Sequence, residues 1–121
     1  MEIPLQISFH GLDHSDAVEE RVRKKIKRLE TLFDKIVSCR VVITVHHRNT
    51  DSAHHKGEPF HIRVTLIVPG DELVVNRDPK EIHEHEDIGK ALRDAFDTVE
   101  RQLQEYVARH RRSEVRPQAS L

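Results

Sequence analysis

Residues 85–103 read HEDIGKALRDAFDTVERQL. Within them Ile88, Leu92, Ala95, Phe96, Val99 and Leu103 recur at three- and four-residue steps, which places them on one side of a 3.6-residue helix. A stripe of that width needs a sheet beneath it. Asp87, just ahead of the first apolar position, can accept from the unpaired amides of a first turn, and Glu86 and Asp87 both favour the positive end of a helix. The spacing predicts a helix that starts at residue 86 or 87 and ends near residue 112, about 39 Å long at the rise of an α-helix. A four-stranded sheet cannot cover that length, so the far end should project.

Working outward, Ile3, Leu5, Ile7 and Phe9 alternate with polar residues, the period-two signature of a strand buried on one face. Gly11 ends it. Ser15 is a natural N-cap for a helix to about Phe33, with Val18, Val22, Ile26, Leu29 and Phe33 as its apolar stripe. Val37, Cys39, Val41, Ile43 and Val45 give a second strand. Phe60, Ile62, Val64, Leu66 and Val68 give a third, after a polar loop over residues 49–58, and Pro69-Gly70 turns the chain into a fourth at residues 73–76. The expected fold is therefore α+β: a four-stranded sheet in β-α-β-β-β-α order, with both helices packed on one face. The open face would carry Gln6, Ser8, Arg40, Thr44, His61, Arg63 and Thr65. Residues 1–112 form a single domain in this reading, with 113–121 as a flexible tail.

A chain of 121 residues buries about two-thirds of its unfolded surface and needs no metal or disulfide to hold it. Its single cysteine, Cys39, rules out a disulfide framework and sits in an apolar alternation as a small buried hydrophobe. No leader pattern and no long apolar run is present, so the expectation is a cytoplasmic protein without membrane contact. Net charge is −1 with 34% charged residues, so any footprint for a polyanion must come from the arrangement of charges. That arrangement is uneven: residues 71–87 sum to −5, and residues 21–28 hold six bases and no acid.

On a helical wheel centred on the first helix's apolar stripe, Arg21, Lys24, Lys25 and Arg28 fall along one flank, with Glu19 and Glu30 on the other. Like charges spaced four apart destabilise a helix by a few tenths of a kcal/mol each, a cost that an anionic partner would offset. Arg109, His110, Arg111 and Arg112 crowd the end of the last helix, where cations also suit the dipole. Phe9, Phe33, Phe60 and Phe96 all point to the core, which leaves Tyr106 as the one candidate stacking platform. Single-strand binding by base stacking is thereby disfavoured, and folded RNA held through its phosphates is favoured.

Several segments together resemble the ribosome hibernation-promoting factor family, also called ribosome-associated inhibitor A. They are His85-Glu86-Asp87, Ala91-Leu92-Arg93-Asp94-Ala95 and Val99-Glu100-Arg101-Gln102-Leu103 in the last helix, Asp16-Ala17-Val18 opening the first, Cys39-Arg40-Val41-Val42 in a strand, and Pro69-Gly70-Asp71-Glu72-Leu73 at a hairpin. The likeness covers roughly residues 3–112 and matches a short form without a C-terminal dimerisation domain. It implies a protein that wedges into the small ribosomal subunit, contacts 16S-type rRNA and ribosomal proteins, occupies the messenger and transfer RNA channel, and inhibits translation under stress. By position, Arg101 matches the family's helical arginine, and Lys24, Lys25 and Arg28 occupy its basic first-helix region. Thr98 and Glu105 stand where members often carry lysine; Lys90, Arg93, Arg109 and Arg112 are the expected compensation. Reversing Lys24, Lys25 and Arg28 should then abolish ribosome association.

The residue content bears on two other classes, a metal centre and an enzyme. Ten histidines suggest a metal centre at His46-His47, His54-His55 or His83-Glu84-His85, but adjacent histidines on a strand point to opposite faces and no cysteine pair supports them, so no metal is expected. Clustered imidazoles near RNA could instead sense pH. The chain has no Gly-rich phosphate loop, nucleophile elbow or Cys–His pairing, so neither an enzyme, a cofactor nor a small-molecule substrate is expected. The alternative kept open is a general structured-RNA-binding module or chaperone not specific to ribosomes.

Overall fold

The computed structural model describes residues 3–45, 60–77 and 88–119, with side chains described as far as residue 110. The elements run β1 (Leu5–His10), α1 (Asp16–Leu32), β2 (Ser38–Val45), β3 (Phe60–Val68), β4 (Asp71–Arg77) and α2 (Ile88–Ala119). The strands form one sheet in the order β1-β2-β3-β4. β1 runs parallel to β2, with Leu5 opposite Cys39 and His10 opposite Thr44. A parallel pair needs a crossover, and α1 supplies it. β2, β3 and β4 form the antiparallel meander.

Period-two alternation sends Cys39, Val41, Ile43 and Val45, then Ile62, Val64, Leu66 and Val68, then Leu73 and Val75 into the core. Val18, Val22, Ile26 and Leu29 of α1 meet them there, as do Ala91, Leu92, Ala95, Phe96, Val99, Leu103 and Tyr106 of α2. Both helices therefore share one layer, the arrangement the sequence suggests. Truncating a fully buried leucine such as Leu103 to alanine would cost about 2–5 kcal/mol. Among the described residues no buried side-chain polar atom lacks a hydrogen-bond partner.

Two glycines shape the connections. Gly11 leaves β1 with φ +84°, and a Cβ there would collide with the Val45 carbonyl oxygen, so the β1–α1 turn closes against the end of β2 only without a side chain. Gly70, at φ +77°, follows Pro69 in the β3–β4 hairpin and takes the positive φ that a type II turn demands.

α2 extends 32 residues, about 48 Å. Among its described side chains the last buried one is Tyr106, and residues 108–110 are exposed, so these turns project past the core. The helix continues to Ala119, beyond the end near residue 112 that the periodicity suggests. An apolar stripe can report only the turns that touch the core, and this one ends with half-buried Val107. The cap at Asp87, the loop over residues 49–58 and the histidine groups at 46–47, 54–55 and 83–85 lie outside the described residues. No described helix is long and apolar enough to cross a membrane.

Candidate nucleic-acid interface

Ser15 sets the rotation of α1. Its backbone is extended, and its side-chain oxygen accepts from the Val18 amide at 3.2 Å, which satisfies one of the first-turn donors. With Val18, Val22, Ile26 and Leu29 held in the core, Arg21, Lys24, Lys25 and Arg28 must emerge on one flank. That flank faces the first turns of α2, where burial of Ala91 and Leu92 fixes the directions of Lys90 and Arg93. The two helices enclose a groove of about 400 Å³ lined by Arg21, Lys24, Lys25, Arg28, Gly89, Lys90, Leu92 and Arg93. Six of these eight residues are cationic, and Gly89 has no side chain to narrow the space.

Two carboxylates tune this groove. Arg28 donates through Nε and Nη2 to the two oxygens of Glu100, each at 2.9 Å. The guanidinium's hydrogen bond holds the Glu100 carboxyl below its ordinary range, against a smaller opposing effect of burial and with help from the charges of Arg28 and Lys25. Glu100 in turn raises Arg28. Asp94 accepts from Lys90 at 3.2 Å and from Arg77 at 3.3 Å. Burial pushes Asp94 upward, but the bonds and charges of Lys90 and then Arg77 outweigh it and leave the carboxyl lowered. Among the described residues Arg21, Lys24 and Arg93 have no acidic partner within ion-pair distance. The groove thus carries surplus positive charge at one end and neutralised charge at its rim.

Of the nine cations singled out from the sequence, six line the groove together. Arg101 is exposed but does not line it, and Arg109 is exposed on the projecting turns. The side chain of Arg112 lies outside the described residues. Tyr106 is a correction: it is 1% exposed, donates its hydroxyl to the Pro69 carbonyl at 2.6 Å and meets Phe33 edge-on at 5.4 Å, so no base can stack on it. Burial, with the charge of Asp71 behind it, raises its phenol. The helical spacing Val99, Leu103, Tyr106 continues the stripe and carried that signal.

Sequence reading also missed His14, whose Nε2 lies 3.3 Å from Asp16 and 3.0 Å from Glu19. These three ligand atoms are mutually close, but Glu19 also binds Arg23 at 2.7 Å, and the positive end of a helix is a poor place for a cation.

Comparison with known proteins gives the chain a family. Residues 5–111 match the family described as sigma 54 modulation protein / S30EA ribosomal protein. This chain belongs to that family. A curated relative from Azotobacter vinelandii, named ribosome hibernation promoting factor, is 38% identical over 99 residues, which are 82% of this chain and 78% of the relative. The fold is similar to a solved ribosomal subunit interface protein from Coxiella burnetii (TM-score 0.68, 19% identity, 88% of this chain and 99% of the other). It is also similar to the N-terminal domain of Protein Y from Thermus thermophilus (TM-score 0.64, 20% identity, 88% and 99%). The S30EA family assignment agrees with the resemblance read from the helix motifs, and the two structures agree with the β-α-β-β-β-α order.

Proposed function

We propose that this protein is a ribosome-associated hibernation factor that binds the small subunit, contacts rRNA through the α1–α2 groove, and silences translation by occupying the messenger and transfer RNA channel. The observation that carries the reading is the convergence of six cations from two helices on one groove, supported by the hibernation factor name of the Azotobacter relative. Lysine and arginine at such a surface bind phosphates without reading bases, which suits recognition of a folded RNA by shape. Occupancy needs no bond to be made or broken, so the activity is binding rather than catalysis, and its place is the cytoplasm, where ribosomes work.

The test is competition on gradients. Purified protein should sediment with small subunits, and messenger RNA bound beforehand should exclude it. Equal affinity for arbitrary duplex RNA, with no competition by messenger, would replace this reading with that of a general RNA-binding module.

A further inference from the structure

The open face of the sheet holds a concavity of about 620 Å³, on the side away from the α1–α2 groove. Arg40 on β2 stands opposite Thr65, and Arg63 on β3 stands opposite Val42, so the two arginines are diagonal neighbours about 7–8 Å apart. Arg40 is steered across the strands by Gln6, whose Oε1 accepts from its Nε at 3.2 Å, leaving the terminal nitrogens for a ligand. Both guanidiniums are exposed, and Arg63 has no acidic partner within ion-pair distance among the described residues. The rest of the lining is short and mostly donor-bearing or aliphatic, with Glu72 as its one acid.

We infer that this face is a second site for the phosphate backbone of helical RNA, so that one molecule bridges two RNA segments on opposite sides of its sheet. The inference rests on the groove binding RNA as proposed above. A concave surface suits a convex duplex, and two exposed arginines on neighbouring strands, Arg40 tethered to Gln6 on β1 and Arg63 beside it on β3, with hydroxyls and an amide nearby, offer a phosphate contact of the kind that positions without specifying sequence. The lining offers no ring for unpaired bases to stack on, which disfavours single strands.

A bridging assay tests it: one RNA duplex is fixed to beads, protein is added, and capture of a second, fluorescent duplex is measured. Wild-type protein should capture it. The double variant Arg40→Gln, Arg63→Gln should still bind the first duplex through the groove, with the steep salt dependence of that contact kept, yet lose the second; circular dichroism checks that it folds. Capture of the second duplex by that variant at the wild-type level overturns the inference, as does strict one-to-one binding by the wild type. Loss of co-sedimentation with subunits but unchanged binding to naked rRNA would overturn it in favour of a protein partner. Failure of wild-type protein to bind any duplex would overturn both sites; a Lys24→Glu, Lys25→Glu variant should still bind one duplex through the sheet face but capture no second, and loss of all its binding would leave the groove as the site that binds RNA and overturn the inference.

Discussion

Arg28 and Glu100 are 72 residues apart in sequence and meet through two parallel hydrogen bonds of 2.9 Å that tie α1 to α2 at the rim of the basic groove. Arg28 therefore has two employers: the fold, through Glu100, and any phosphate that enters.

Because the Glu100 carboxylate competes with phosphate for Arg28 and depresses the local potential around Lys25, Glu100→Gln should raise RNA affinity several-fold at low salt. The gain should shrink as salt screens the charge. Stability should change little, since exposed ion pairs contribute little. Fluorescence titration across a salt series checks this; lower affinity in the variant would mean that Glu100 serves chiefly to hold Arg28 in place.

Acid should loosen the same contacts. Glu100 and Asp94 both have folded carboxyl groups lowered by their cationic partners. A depressed folded value contributes stability that is present above the unfolded value and lost as pH falls through the folded one. Urea midpoints should decline below pH about 4, and a Glu100→Gln, Asp94→Asn variant should lose only slightly less in that decline, since exposed ion pairs contribute little.

The fold was legible because its signals are local and periodic. Alternation in β2, β3 and β4, the Ser15 cap and the Pro69-Gly70 turn each act within a few residues, and the structure keeps them nearly to the residue. The parallel placement of β1 follows from the crossover that α1 makes, so it too was within reach. The groove was half legible: a helical wheel puts Arg21, Lys24, Lys25 and Arg28 on one flank of α1, but only packing can set that flank against Lys90 and Arg93. The partners of Arg28 and Arg77 were not legible, because Glu100 and Asp94 reach them from another element. Tyr106 was misread although the stripe through Val99 and Leu103 reaches it; only its hydroxyl's acceptor, the Pro69 carbonyl on a hairpin 37 residues away, was beyond local reading.

Tyr106 anchors the last core turn of α2 to the β3–β4 hairpin. Tyr106→Phe should lower stability by about 1 kcal/mol through the lost hydrogen bond, and Tyr106→Ala by about 3–5 kcal/mol through the cavity it leaves. Denaturant melts measure both. In alkali the folded protein keeps the phenol protonated beyond the range of free tyrosine, so stability should fall as pH rises past about 10.

Cys39 is 3% exposed, and burial pushes its thiol up to about 12. Thiol reagents at neutral pH should label it only at the rate of global opening, and denaturant should release full labelling. Rapid modification of native protein would contradict its place in the core.

The central claim is that cations segregated between α1 and α2 carry the association with ribosomes. Co-sedimentation with small subunits, measured for wild-type protein and for an Arg21→Glu, Lys24→Glu, Lys25→Glu variant that leaves Arg28 clamped to Glu100, addresses it most directly. The account predicts wild-type association that weakens steeply with salt and none for the folded variant; wild-type sedimentation of that variant would contradict it.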